Sequence, residues 1–186
     1  AGPVAADFEK LKADCEDCHG PGGVSPHSDV PSIAGQTAKF LTQSLRSFRN
    51  WDRPCIKSAF RSGDTSRSKT DMCRIAGAMS TDDAAALAQH FSAQTFVPAK
   101  QDFDSAKVAD GAALHEQHCE TCHADGGKLA DRGPRLAGQW TEYLKATLKY
   151  VPTGEHLVPP MMERNVADFS AEDIDKLMNF YASQQD

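Results

Sequence analysis

Apolar residues recur along the chain at three- and four-residue spacing, a periodicity that predicts helices. Phe8 and Leu11 mark one over about residues 5–15, running towards Cys15. Phe40, Leu41, Leu45 and Phe48 mark another over about 37–50. Ser80-Thr81-Asp82-Asp83 has the form of an N-cap with an acidic first turn, and Ser170-Ala171-Glu172-Asp173 repeats it; a helix follows each. Two more helices are expected near about 106–121 and about 140–150. No strand-like alternation of useful length competes, so the expected fold is all-α.

The chain also repeats itself. Cys15-Glu16-Asp17-Cys18-His19 returns 104 positions later as Cys119-Glu120-Thr121-Cys122-His123. Pro31-Ser32-Ile33-Ala34-Gly35-Gln36 returns 103 positions later as Pro134-Arg135-Leu136-Ala137-Gly138-Gln139. Further on the offset falls to 90 and holds, pairing Met72, Ser80, Leu87 and Phe91 with Met162, Ser170, Leu177 and Tyr181. Two similar domains are therefore expected, over residues 1–95 and 105–186, joined by a linker over 96–104. Pro98 and its polar neighbours suit a linker, and Phe96 and Phe103 suggest one that packs down on the domains. An ordinary inter-helix loop is the plainer alternative.

Length sharpens this picture. Halves of about 90 residues bury little surface, so each calls for a staple such as a metal or a covalent cofactor. No apolar run approaches the ~20 residues of a membrane-crossing helix. The net charge of −6 argues against a nucleic-acid partner. Aromatic content is low, at 8%, and a flat apolar cofactor would supply the missing bulk. The chain opens Ala1-Gly2-Pro3-Val4 without a charged n-region or apolar h-region, so any export signal is expected to have been removed.

Both repeats carry C-x-x-C-H, the pattern of c-type haem attachment. Two thiols close together on one turn add to the two vinyl groups of one porphyrin, and the adjacent histidine faces the iron. Cys15, Cys18, Cys119 and Cys122 are thus expected to hold two covalently bound haem c groups, with His19 and His123 as axial ligands. A structural zinc on the two C-x-x-C pairs would leave both histidines unexplained, and a thioredoxin-like pair would need a βαβ pattern that is absent. Haem of this type is attached outside the cytoplasm, which points to the periplasm, where disulfides are also allowed.

Methionine is the usual sixth ligand in electron-transfer cytochromes. Of Met72, Met79, Met161, Met162 and Met178, only Met72 and Met162 are methionines in both copies of the repeat, and they are the expected ligands. Met79 and Met178 read as core residues. Pro31 and Pro134 follow the axial histidines by 12 and 11 residues. A carbonyl there would fix the imidazole through its second nitrogen; a simple turn proline is the alternative. His90 aligns with Phe180 and reads as a packing residue. His115 and His118, three apart, are expected on a solvated helix face; no role is assigned to His27 or His156.

From axial histidine to methionine is 53 residues in the first half and 39 in the second. The extra residues lie within Arg49–Asp71, which contains Arg49, Arg53, Lys57, Arg61, Arg67 and Lys69 and is expected to be a solvated loop. Cys55 and Cys73 bracket most of it, and a disulfide between them would tie the backbone beside Met72. Alternatively Cys73 is a haem ligand or a catalytic sulfur, which would make the first haem an enzyme site acting on a sulfur compound.

With these residues in place, the chain resembles the dihaem cytochrome subunit of flavocytochrome c sulfide dehydrogenase, along most of both halves. The specific matches are Arg74-Ile75-Ala76 after Met72, and Gln94-Thr95-Phe96 running into Pro98-Ala99-Lys100-Gln101 and Phe103-Asp104. Leu136-Ala137-Gly138-Gln139-Trp140 and the terminal Phe180-Tyr181-Ala182-Ser183-Gln184-Gln185 add to them. The resemblance implies two class I cytochrome c-like domains in tandem. It also implies a partner subunit that carries FAD and oxidises sulfide, with electrons passing through both haems to an external acceptor such as a small cytochrome. The first haem would face the flavin. The insertion and the Cys55/Cys73 pair depart from that family's pattern. A free-standing dihaem shuttle delivering electrons to a terminal oxidase has the same fold and ligands and stays open as an alternative.

Overall fold

A computed structural model describes residues 4–186, with side chains from Phe8 onward. The opening Ala1-Gly2-Pro3 lies outside the described residues. The described chain is helical, and its one strand-like feature is an isolated antiparallel bridge between Ser58 and Thr70. It divides into two compact units. The first runs to Pro26 and resumes over Ser32–Phe96; the second takes His27–Pro31 and Val97–Asp186.

The first unit contains α1 (Val4–His19), a 3-10 turn (Pro21–Gly23), α2 (Ala38–Arg49), α3 (Met72–Ala78) and α4 (Thr81–Ser92). The second contains α5 (Ser105–His118), α6 (Thr141–Leu148), α7 (Pro160–Asp168) and α8 (Ala171–Ser183). The Ser80 and Ser170 hydroxyls accept the Asp83 and Asp173 backbone N–H at 3.0 and 3.1 Å, so the repeated cap opens α4 and α8 in the same way. The short helices α3 and α7 lie outside the apolar periodicity. Asp71 caps α3 by accepting the Arg74 N–H, and Pro160 opens α7 where a missing N–H costs nothing.

Each unit buries its own core. In the first, Leu41, Met79, Leu87 and Phe91 pack together, and Phe8, Leu11 and Cys15 lean against them. In the second, Leu144, Leu177, Met178, Phe180 and Tyr181 do so, joined by Val108, Leu114 and Cys119. The first cysteine of each motif thus sits at the edge of a core.

The loop after each motif is built twice. The Gly23 carbonyl accepts from Ile33 and Ala34, and the Gly127 carbonyl accepts from Leu136 and Ala137. Both glycines have positive φ, and a Cβ on Gly23 would meet the Ile33 and Phe91 side chains at 2.8 Å. From Val97 the chain lies on the second unit: the Ala99 N–H donates to the Gly138 carbonyl, and the Gln101 side chain bonds to Gln139 and Thr141.

Close packing of α5 on α8 requires Gly111, where a Cβ would fall 2.1 Å from the Lys176 carbonyl oxygen. Gly111→Ala is expected to destabilise the second unit by about 1–3 kcal/mol, the usual cost of overpacking. A urea unfolding midpoint equal to that of the unaltered protein would show that the helices separate freely here.

Candidate haem sites

In the first unit the whole motif lies on α1, which places Cys15, Cys18 and His19 within its last turns, the two cysteines about one turn apart. In the second, α5 stops at His118 and the motif follows in turns. All four motif cysteines are free thiols. Burial, with Asp14 nearby, pushes the Cys15 thiol up to about 12. Burial also raises the Cys119 thiol, against a hydrogen bond from Tyr181. Burial thus keeps both of these thiols in the neutral form.

His19 and His123 are both buried. The His123 Nδ1 lies 2.9 Å from the Pro134 carbonyl, which fixes the ring and leaves Nε2 for a metal. Burial lowers the pKa of His123, partly offset by that hydrogen bond, and so favours the neutral imidazole a metal requires. Gly133 completes the seat, because a Cβ there would lie 2.6 Å from the imidazole Cε1. Paired free thiols, a buried neutral imidazole and an oriented ring suit covalent haem c.

Of the methionines, Met79 and Met178 are buried in the two cores and Met161 is exposed. Met72 and Met162 are half-buried in the first turns of α3 and α7.

Cys55 and Cys73 are joined in a disulfide with a Cα–Cα distance of 5.5 Å. Cys73 is buried and offers no free thiol. Asp71 brings a third potential ligand atom within 4.8 Å of the two sulfurs, but its carboxylate caps α3 and the sulfurs are bonded to each other. The trio is a strut beside Met72.

The basic insertion is only in part the solvated loop its composition suggests. Arg49 donates to the Ala76 and Met79 carbonyls at the C-terminal end of α3, where a cation suits the helix dipole. Arg53 is buried, stacks over Phe48 and donates to Ser44. Arg67 pairs with Asp14 and Asp17 and covers the Phe60 ring at 3.5 Å. The Asp17 carbonyl accepts from Arg61 and Ser62 at 2.9 and 3.0 Å. The insertion is therefore a strap laid across the first attachment motif. Lys57 and Lys69 stay exposed. Cys18 is half-buried with its sulfur 4.0 Å from the Ala59 carbonyl, whereas its counterpart Cys122 is exposed.

The histidines of α5 also correct the sequence reading. His115 is 1% exposed, with Nδ1 2.8 Å from the Tyr181 hydroxyl and Nε2 2.9 Å from Glu120. His118 is half-buried edge-on to Phe169. Spacing alone could not show which face of α5 meets α8. The signal was the pairing of His115 with a late tyrosine where the first half has Leu11 and Phe91. His90 packs edge-on between Phe8 and Phe91.

Comparison with known proteins points to the same class of fold. The family model described as cytochrome C oxidase, cbb3-type, subunit III matches residues 106–180. Cytochrome c4 of Azotobacter vinelandii is 28% identical over 160 residues, 80% of this chain and 71% of that protein. Cytochrome c-552 of Acidithiobacillus ferridurans is 28% identical over 154 residues, 78% of this chain but only 63% of that longer protein. A protein of Stutzerimonas stutzeri described as thiosulfate dehydrogenase electron acceptor is 33% identical over 86 residues, 46% of this chain and 34% of its own. The crystal structure of reduced recombinant cytochrome c4 from Pseudomonas stutzeri superposes with a TM-score of 0.75 at 27% identity, covering 99% of this chain and all of that one.

Two class I cytochrome c-like domains in tandem, carrying two covalently bound haem c groups, make this chain a dihaem electron-transfer cytochrome c. Within that class it is similar to cytochrome c4. Among the described residues no helix is long and apolar enough to cross a membrane.

Proposed function

We propose that the protein is a periplasmic electron relay that takes single electrons from a sulfur-compound dehydrogenase and passes them through both haems to an external acceptor such as a small cytochrome. A bound haem c supplies a one-electron couple. Cys15 and Cys18 would anchor one haem and Cys119 and Cys122 the other. His19 and Met72 would hold one iron, and His123 and Met162 the other. With those ligands supplied by the chain, its work would be to hold, shield and tune the haems. A thioether ligand raises the potential, and burial of the site adjusts it further.

The observation that carries this reading is end-to-end likeness to cytochrome c4, in which this chain and that one each cover essentially the whole of the other. Catalysis through Cys73 finds no support, because that sulfur is committed to Cys55. A second reading, a stable partner subunit carrying FAD that oxidises sulfide, rests on the residue matches around Arg74, Gln94 and Phe180. The similarity to a thiosulfate dehydrogenase electron acceptor supports a sulfur-compound donor without naming its cofactor.

The test is the flavin-to-haem ratio of protein purified gently from its native periplasm. Two haems with neither flavin nor a second chain are expected. About one flavin per two haems, with a second subunit attached, would replace this reading with the flavocytochrome one. Release of the protein by cytoplasmic but not periplasmic extraction would defeat both.

A further inference from the structure

The two units differ at a buried place beside the attachment motif. Against the attachment motif of the first unit stand Leu11 and Phe91, both apolar; the aligned positions in the second are His115 and Tyr181. The motif glutamates are alike in their backbone bonds. Glu16 accepts the Gly22 N–H at 3.0 Å, and Glu120 accepts those of Asp125 and Gly126 at 2.7 and 3.0 Å. Only Glu120 also reaches an imidazole, 2.9 Å away. The second unit has therefore exchanged two apolar groups for a hydrogen-bonded chain that runs from the Cys119 sulfur through the Tyr181 hydroxyl and His115 to Glu120.

We propose that His115 is a proton-binding site linked to the electron on the second haem, and that the first unit has no counterpart. The inference rests on the second haem being held by Cys119, Cys122 and His123. His115 would take one proton from water as an electron arrives from the donor at the haem those residues would hold, and would return it to water as the electron leaves for the acceptor. An oxidised haem iron carries one more positive charge than a reduced one and repels an imidazolium in the same low-dielectric interior.

The hydrogen bonds accommodate both protonation states. With the ring protonated, Nε2–H donates to Glu120 and Nδ1–H to the Tyr181 oxygen, which frees the phenol proton for the Cys119 sulfur. With the ring neutral, Nε2–H still donates to Glu120 and the Tyr181 hydroxyl turns to donate to Nδ1. Proton uptake thus also changes the hydrogen bond offered to the anchoring sulfur, a second route by which it bears on the haem. Glu120 is 40% exposed at its side chain, while that of His115 is 2%, so the carboxylate joins the buried ring to solvent.

The groups facing His115 are few. From α8 come Tyr181 and Phe180; from the attachment loop come Cys119, Glu120 and His123, which feels the His115 charge. Lys176, also on α8, is engaged by Asp110 and Glu172.

The experiment is a spectroelectrochemical titration of the dihaem protein between about pH 5 and 8, where an imidazole changes charge. It is repeated with His115→Leu, which installs the first unit's residue. Two covalent haems are counted first in each protein, so that a missing second haem indicts the attachment reading and not this one. One of the two potentials is expected to fall as pH rises, its reduction equilibrium changing by up to about tenfold per pH unit, the limit for one proton per electron. That slope is expected to vanish in His115→Leu while the other potential stays as it was. Two flat profiles in the unaltered protein would overturn the proposal, as would a slope that survives His115→Leu, since the proton would then bind elsewhere, such as a haem propionate. Should the variant fail to fold, nitrogen-15 NMR of the His115 ring in the unaltered protein decides. A pKa higher in the reduced state supports the link, and equal pKa values in both states refute it.

Discussion

Replacing Cys55 and Cys73 together by serine is expected to lower the unfolding temperature of the first unit by about 12–24 °C. The bridge spans 18 residues, and closing a loop of that size removes about 3 kcal/mol of freedom from the unfolded chain. In a domain of this size each kcal/mol moves the midpoint by about 4–8 °C. The remaining bonds of the strap would not make up the loss. Arg67 with Asp14 and Asp17 is a partly exposed cluster, and solvent-screened pairs of that kind contribute little. The second unit has no such bridge and should unfold as before. Thermal melts followed by circular dichroism, with the two transitions resolved, provide the check. A first-unit midpoint within about 2 °C of the unaltered value would mean that the strap's packing, and not its covalent closure, holds it. Limited proteolysis should cut the double variant first between Arg61 and Lys69, where the strap is largely exposed.

Much of this architecture was legible before any coordinates, because the chain states it twice. Duplication picked out Met72 and Met162 among five methionines, and the two cores then account for Met79 and Met178. The serine caps of α4 and α8 were readable because a cap is local, a hydroxyl three residues from an N–H. What stayed hidden depends on distant partners. Arg67 looks like any loop cation until Asp14 and Asp17 are seen beneath it. His115 looks like a surface residue until α8 brings Tyr181 against it. The helices α3 and α7 escaped notice because seven and nine residues are too few for an apolar period to emerge. Asp71 and Pro160 were nevertheless their start signals.

Met72→Ala is expected to keep both haems attached but to remove about half of the sulfur-to-iron charge-transfer absorbance and lower one of the two potentials, leaving the other as it was. Attachment survives because it depends on Cys15 and Cys18, which α1 holds in place without α3. The potential falls because a soft thioether, which favours reduced iron, gives way to water or an open position. Met162→Ala should do the same to the other haem, and the double variant should abolish the absorbance. Met79→Ala is the informative control. Met79 lies in the same stretch of chain but packs against the core formed by Leu41, Leu87 and Phe91. Its loss is expected to cost about 2–5 kcal/mol of stability, as a buried cavity does, with both sulfur-to-iron bands intact. The two variants separate a ligand from a packing residue, because one moves a spectrum and the other a denaturation midpoint. If Met79→Ala removes a band and Met72→Ala does not, α3 presents its C-terminal end to the iron, and the ligand assignment in the first unit is wrong.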